Sequence, residues 1–131
     1  EGFSFSDTYN PLTVTNARFC EARVWYVYQA IADPEYFDAD YYLPYAQGFD
    51  LTNRMPLFVR PKANVTRETI HALLSSHFEG TWFDPSQDVG AGPMRSPYRW
   101  NGLTFEAKGK KYVNERVIWT QQTAFHFVST V

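Results

Sequence analysis

Residues 66–80 read TRETIHALLSSHFEG, and this stretch organises the rest of the chain. Thr66 is a good helix N-cap, and Glu68 in the first turn complements the helix dipole. Ile70, Leu73, Leu74, His77 and Phe78 then recur at i, i+3, i+4, i+7 and i+8, one apolar stripe of a helix. Gly80 is placed to end it in a left-handed cap. The spacing predicts an amphipathic helix over 66–79. A second stripe lies upstream at Cys20, Val24, Val27, Tyr28 and Ile31. Asn16 is its expected cap, and Asp33-Pro34 stops it because proline disfavours helix at the residue before it. That predicts a helix over 17–32.

Between and around these helices the signals are for loops and strands. Residues 1–15 show no period and read as extended or loop. Residues 33–53 are rich in acids and tyrosines and broken by Pro34, Pro44 and Gly48, so they read as a long loop with a helical turn near Tyr36. Met55–Arg60 has strand composition, limited to a short or edge strand by Pro56 and Pro61. Residues 80–100 carry Gly and Pro throughout and form a long loop. Leu103–Ala107 and Tyr112–Val131 read as strands around a Lys108–Lys111 turn, the second with apolar residues of both parities and a break near Gln121-Gln122. The class is α+β, with two amphipathic helices on a partial antiparallel sheet.

The chain has 131 residues, one domain's worth, and no internal repeat. At 44% hydrophobic and 18% aromatic it is not disordered, and no apolar run is long enough to span a bilayer. Net charge is −2, split as −6 over residues 1–53 and +4 over 54–131. The halves are read as complementing each other in the fold. Lys108, Lys110 and Lys111 are the only basic cluster and sit around Gly109, a solvated turn and no nucleic-acid face. The chain opens on Glu1 and its methionines are Met55 and Met94. With a strand running to Val131, this makes an internal piece of a larger catalytic domain the expectation. Such a piece would self-associate through an exposed strand edge.

Few residues carry chemistry by spacing alone. Cys20 is the sole cysteine, so no intrachain disulfide forms. Its place on an apolar stripe makes it a buried, inert thiol. His71 and His77 are six apart, about 120° around a helix, and do not converge on one metal ion. His77 reads as a core histidine making a hydrogen bond. Asn64-Val65-Thr66 matches a glycosylation acceptor but coincides with the helix cap. Gly90-Ala91-Gly92-Pro93 is not a phosphate loop, since no GK[ST] follows it. The acids of 33–40 lack calcium-loop spacing and read as a solvated loop. The aromatics of Tyr36–Phe49 would suit a self-contained carbohydrate- or peptide-binding module, or would fold back onto the helices.

Several stretches in order do resemble a family. They are Tyr9-Asn10-Pro11-Leu12; Arg23-Val24-Trp25; Pro56-Leu57-Phe58-Val59-Arg60-Pro61-Lys62; Val65 through Leu73-Leu74 to His77-Phe78-Glu79-Gly80-Thr81 with Phe83-Asp84-Pro85; and Gly90-Ala91-Gly92-Pro93 with Ser96-Pro97-Tyr98-Arg99. Glu115-Arg116-Val117-Ile118 with Thr120 and Thr123 continues the match. Together they resemble the middle of the cysteine dipeptidases of the N-terminal nucleophile hydrolase superfamily. The resemblance implies a four-layer αββα sandwich and hydrolysis of dipeptides, with no cofactor and no metal, by a cysteine at the mature N-terminus whose own α-amino group is the base. Residue 1 here is Glu1, and Cys20 does not match that nucleophile, so the isolated chain is expected to be inactive. By strand position the resemblance implies two substrate-binding candidates. Arg116 would hold a substrate carboxylate and Asn114 would donate to an oxyanion. The bland alternative for Arg116 is an ion pair with Glu115 or another acid.

Overall fold

A computed structural model describes residues 2–10, 12–99 and 102–129. The elements in chain order are α1 (Phe5–Tyr9), α2 (Glu21–Ile31), α3 (Ala39–Ala46), α4 (Arg67–Leu74), a single 3-10 turn (Val89–Ala91), β1 (Thr104–Ala107) and β2 (Lys110–Val113). The class is α+β, and the two strands form one antiparallel hairpin. No helix is long and apolar enough to cross a membrane.

α2 starts four residues later than its periodicity predicts. Asn16 does not cap it; Asn16 takes a left-handed conformation (φ 64°) in a tight turn closed by Thr13 N–H to the Ala17 carbonyl at 2.9 Å. Asparagine is one of the few residues that tolerates this region. The stretch 12–18 doubles back, with Leu12 bridging Arg18 and the Arg18 N–H donating to the Ala46 carbonyl at 2.7 Å. Cys20 occupies the N-cap position, where the Asn10 side chain accepts from its N–H at 2.8 Å.

The shorter helix also turns a different face inward. Ala22 and Trp25 are buried, while Cys20 and Val24 are exposed. Cys20 is therefore not the buried thiol its spacing predicts. Trp25 offers the largest apolar surface on the helix, and its burial outweighs that of the aliphatic stripe. Its ring meets Phe83 edge-on at 5.4 Å, and its indole N–H donates to the Ala39 carbonyl at 2.8 Å. Asp33-Pro34 does end the helix, and the chain at 60–62 runs back along this end: Ala32 bridges Pro61, and Lys62 N–H reaches the Ile31 carbonyl at 2.9 Å.

The segment 33–53 holds a helix where a loop is predicted. Asp38 caps α3 by accepting from Asp40 N–H at 3.0 Å and Tyr41 N–H at 3.2 Å. Pro44 sits inside α3, removing one helical donor. The cap and the burial of Tyr45 and Ala46 against α2 hold the helix despite it. The aromatics split: Phe37 and Tyr45 are buried and Tyr42 stacks on Phe37, whereas Tyr36, Tyr41 and Phe49 stay exposed.

Met55–Arg60 forms no strand, and Leu57 and Phe58 point to solvent. Two prolines strip its donors, and no strand runs beside it among the described residues. α4 begins as predicted, with Thr66 accepting from the Thr69 N–H at 3.2 Å. It ends at Leu74, before the predicted Gly80. Ser75 and Ser76 follow, and the Ser76 hydroxyl bonds locally to Phe78 N–H and Glu79, competing with further helix. Phe78 then adopts φ 65° and drops into the core beside Phe83 and Tyr26.

Lys108-Gly109 makes a two-residue hairpin turn with both residues left-handed (φ 51° and 73°), and Phe105 stacks on Tyr112 across the ladder. The second strand stops at Val113, far short of the predicted end. Residues 114–129 run irregularly, and Thr130 and Val131 lie outside the described residues. Apolar alternation cannot hold a strand whose backbone has no neighbouring ladder. The helices also pack on one another, α2 against α3, rather than on the hairpin as predicted. The core among the described residues is Ala17, Ala22, Trp25, Ala32, Phe37, Ala46, Phe78, Phe83 and Val117.

Candidate functional site

The most connected polar group centres on Arg99, which is 9% exposed. Its Nε donates to Glu115 Oε2 at 3.2 Å, Nη1 to the Pro85 carbonyl at 2.9 Å, and Nη2 to Asp88. Glu115 Oε1 accepts from the Thr15 N–H at 2.8 Å and its hydroxyl at 2.5 Å. The network thus ties the N-terminal turn, the 85–99 loop and the segment after β2. Gly90 is required beneath it: a Cβ there would lie 2.8 Å from the Arg99 guanidinium carbon. Burial pushes the Glu115 carboxyl up, but bonds from the Thr15 hydroxyl, its own N–H and the Thr15 N–H, with the Arg99 charge, outweigh it and leave it low.

Arg116 and Asn114 flank Glu115 and line a polar cavity of about 230 Å³ with Arg99, Leu103, Gln121 and Gln122. Asn114 is buried; its side-chain amide donates to the Gly102 carbonyl at 2.6 Å, and its N–H to the Leu103 carbonyl at 2.8 Å. Arg116 does not pair with Glu115, which Arg99 has claimed. Its Nη1 donates to Gln122 Oε1 at 2.6 Å, and it has no ion pair among the described residues. Arg23 stands near it. Burial lowers the Arg23 pKa, Cys20 opposes this, and the Arg116 charge lowers it further. Two guanidiniums therefore share one region, beside a third that is neutralised. Arg99 carries no role in the sequence reading. Its signal is its place in Ser96-Pro97-Tyr98-Arg99, following a Gly-rich loop that closes on it.

The histidines separate. His77 lies past α4, with Nδ1 2.8 Å from Glu79 and Nε2 2.8 Å from the Tyr98 hydroxyl; it is hydrogen-bonded as its place on the stripe predicts, but half-buried and not the core residue expected, because the helix ends before it. Burial raises the Glu79 carboxyl, yet bonds from its own N–H, the His77 ring and N–H and the Ser76 hydroxyl bring it to about 2. His71 meets His126 instead, ring centroids 4.7 Å apart. No three His, Cys, Asp or Glu among the described residues are grouped to hold a metal ion.

The sequence model of peptidase family C69 matches residues 1–130. This chain belongs to peptidase family C69. The C69 chain is similar to a dipeptidase of Bifidobacterium longum (strain NCC 2705), 33% identical over 86 residues. Those residues are 66% of this chain and 16% of that protein, so the C69 chain spans a small part of its relative. No solved structure gives a significant match. The family assignment accords with the ordered stretches on which the resemblance rested, including the glycine-rich loop and the Arg99 that closes it.

Proposed function

We propose that this chain forms part of a dipeptidase of the N-terminal nucleophile type, a four-layer αββα sandwich in which the segment around Asn114 and Arg116 borders the substrate cleft. In that chemistry the thiolate of an N-terminal cysteine attacks the peptide carbonyl. Its own α-amino group takes the thiol proton and returns it to the leaving amine. Cys20 does not fit the role: it lies within the chain at the head of α2, so it has no free α-amino group to act as base.

The observation that carries the reading is the uncompensated Arg116. Arg99 is buried and satisfied by two carboxylates, whereas Arg116 opens on a polar cavity with a second cation near it. A dipeptide's C-terminal carboxylate would relieve that repulsion and accept a bidentate pair of N–H bonds. Asn114 has one amide hydrogen committed to Gly102 and a second to give to an oxyanion.

In a dipeptidase carrying this segment, Arg116→Ala is expected to raise KM for dipeptides by about 10- to 100-fold, the worth of a charged hydrogen bond. Substrates amidated at the C-terminus should lose little. Equal kinetics for wild type and variant would sink the assignment. The chain alone is expected to show no dipeptide turnover, and turnover abolished by Cys20→Ser would contradict the reading. Self-association belongs to the same proposal, since β1 and β2 form a two-stranded sheet whose outer edges carry one backbone bond among the described residues, Val14 N–H to the Val113 carbonyl at 3.0 Å. Sedimentation as a monomer at every concentration tested would count against it.

A further inference from the structure

A second cavity lies between α4 and the segment 119–128, apart from the site above. Its volume is about 620 Å³, within the range of small-molecule sites. Arg67 and His71, one helical turn apart on α4, form one wall; Trp119, Phe125, His126 and Phe127 form the other. Three rings interlock there: His126 meets His71 at 4.7 Å and Trp119 at 5.2 Å, both edge-on.

The polar groups of this cavity are unevenly satisfied. His126 Nδ1 is buried without a hydrogen-bond partner. A buried polar atom left unpaired costs about 1–3 kcal/mol, and such atoms in native proteins normally meet a water or a ligand. Arg67 has no ion pair among the described residues. The lining holds one acid, Glu68, exposed and held below the ordinary carboxylate range by its own N–H and Thr66. It sits in the first turn of α4, where the helix dipole favours its charge, and the donors of the lining are the Arg67 guanidinium and the imidazoles. The rest of the lining is aromatic or aliphatic.

We infer that this cavity binds a small carboxylate with an apolar body, its carboxylate held by Arg67 and the imidazole pair and its body laid against Trp119, Phe125 and Phe127. Ionic recognition supplies orientation, and burial of the body supplies most of the affinity. The inference does not depend on the dipeptidase reading, because it uses none of the groups around Arg116.

The test is titration of the chain with 3-phenylpropionate, following tryptophan fluorescence and the imidazole resonances of His71 and His126. Saturable changes in both are expected. The neutral 3-phenylpropanamide should bind about tenfold more weakly, the loss of one charge-assisted contact, and Arg67→Gln should weaken the acid but not the amide by a similar factor. Trp119→Phe should remove the fluorescence change while the histidine shifts remain, which assigns the signal among the four tryptophans. Arg67 is exposed, so its replacement leaves the fold in place. Equal binding of acid and amide, no effect of Arg67→Gln, or no saturation would each overturn the inference. So would Zn²⁺ alone shifting both imidazoles while the acid shifts neither, which would make this a two-histidine metal site instead.

Discussion

Arg99→Met is expected to lower the unfolding free energy by about 3–5 kcal/mol, the usual result of removing one member of a buried ion pair. Methionine keeps most of the side-chain volume, so the loss isolates the charge. The variant removes the cation beside Glu115, whose side chain is 7% exposed and keeps only its Thr15 bonds, and takes the Arg99 donors from Asp88 Oδ2 and the Pro85 carbonyl. Domains of this size are stable by about 5–15 kcal/mol, so the urea midpoint should fall steeply. Adding Glu115→Leu should restore part of the loss, because a buried pair replaced by apolar groups is often near neutral. A midpoint for Arg99→Met within error of wild type would show that the network is not holding the loop.

The same network sets the acid response. Glu115 and Glu79 both have folded pKa values below the ordinary 4.5, Glu79 at about 2. A depressed carboxyl stabilises the fold fully above its unfolded value and loses that contribution as pH falls through the folded one. Stability should therefore decline from about pH 5 down towards 2, through carboxylate protonation. Glu115→Gln should flatten this decline more than Glu79→Gln, since Glu79 is largely exposed and its interactions are screened. A pH-independent midpoint between 5 and 2 would refute this.

Trp25→Ala carries the other large effect, an expected loss of about 3–5 kcal/mol. The indole is 4% exposed and meets Phe83 edge-on. Its N–H also satisfies the Ala39 carbonyl in the first turn of α3. Truncation opens a cavity between α2 and α3 and removes the hydrogen bond that ties the two helices together. α3 already carries Pro44, so it should be the first element to fray, read as lost helical circular dichroism before the global transition. Trp25→Phe keeps most of the apolar contact and should cost about 1–3 kcal/mol, for the lost interhelical hydrogen bond and the smaller ring. An alanine variant as stable as wild type would mean that the core is centred elsewhere.

Local chemistry made some of this legible. Thr66 caps α4 because its hydroxyl needs only the N–H three residues on. Asp33-Pro34 ends α2 because proline disfavours helix at the residue before it, and Gly109 turns the hairpin because glycine tolerates a left-handed backbone. Asn114 and Arg116 line one cavity, but Glu115 between them lines it too, so the alternation of an extended segment does not account for the grouping. The sequence could not show which partner each charge takes. Glu115 is adjacent to Arg116 in the chain, yet it pairs with Arg99 and with Thr15, a hundred residues away.

By itself, the sequence determined the α+β class, the family, the cap of α4, the stop of α2 and the hairpin turn, all of which depend on a residue and its near neighbours or on their order. Only the tertiary structure decided that Trp25 and not the aliphatic stripe faces inward, that α3 survives its proline, that β2 stops at Val113, and that Arg99 is neutralised while Arg116 is not. Those outcomes depend on which distant surfaces meet, and the free energy of burial and ion pairing is assigned by that meeting and not by local propensity.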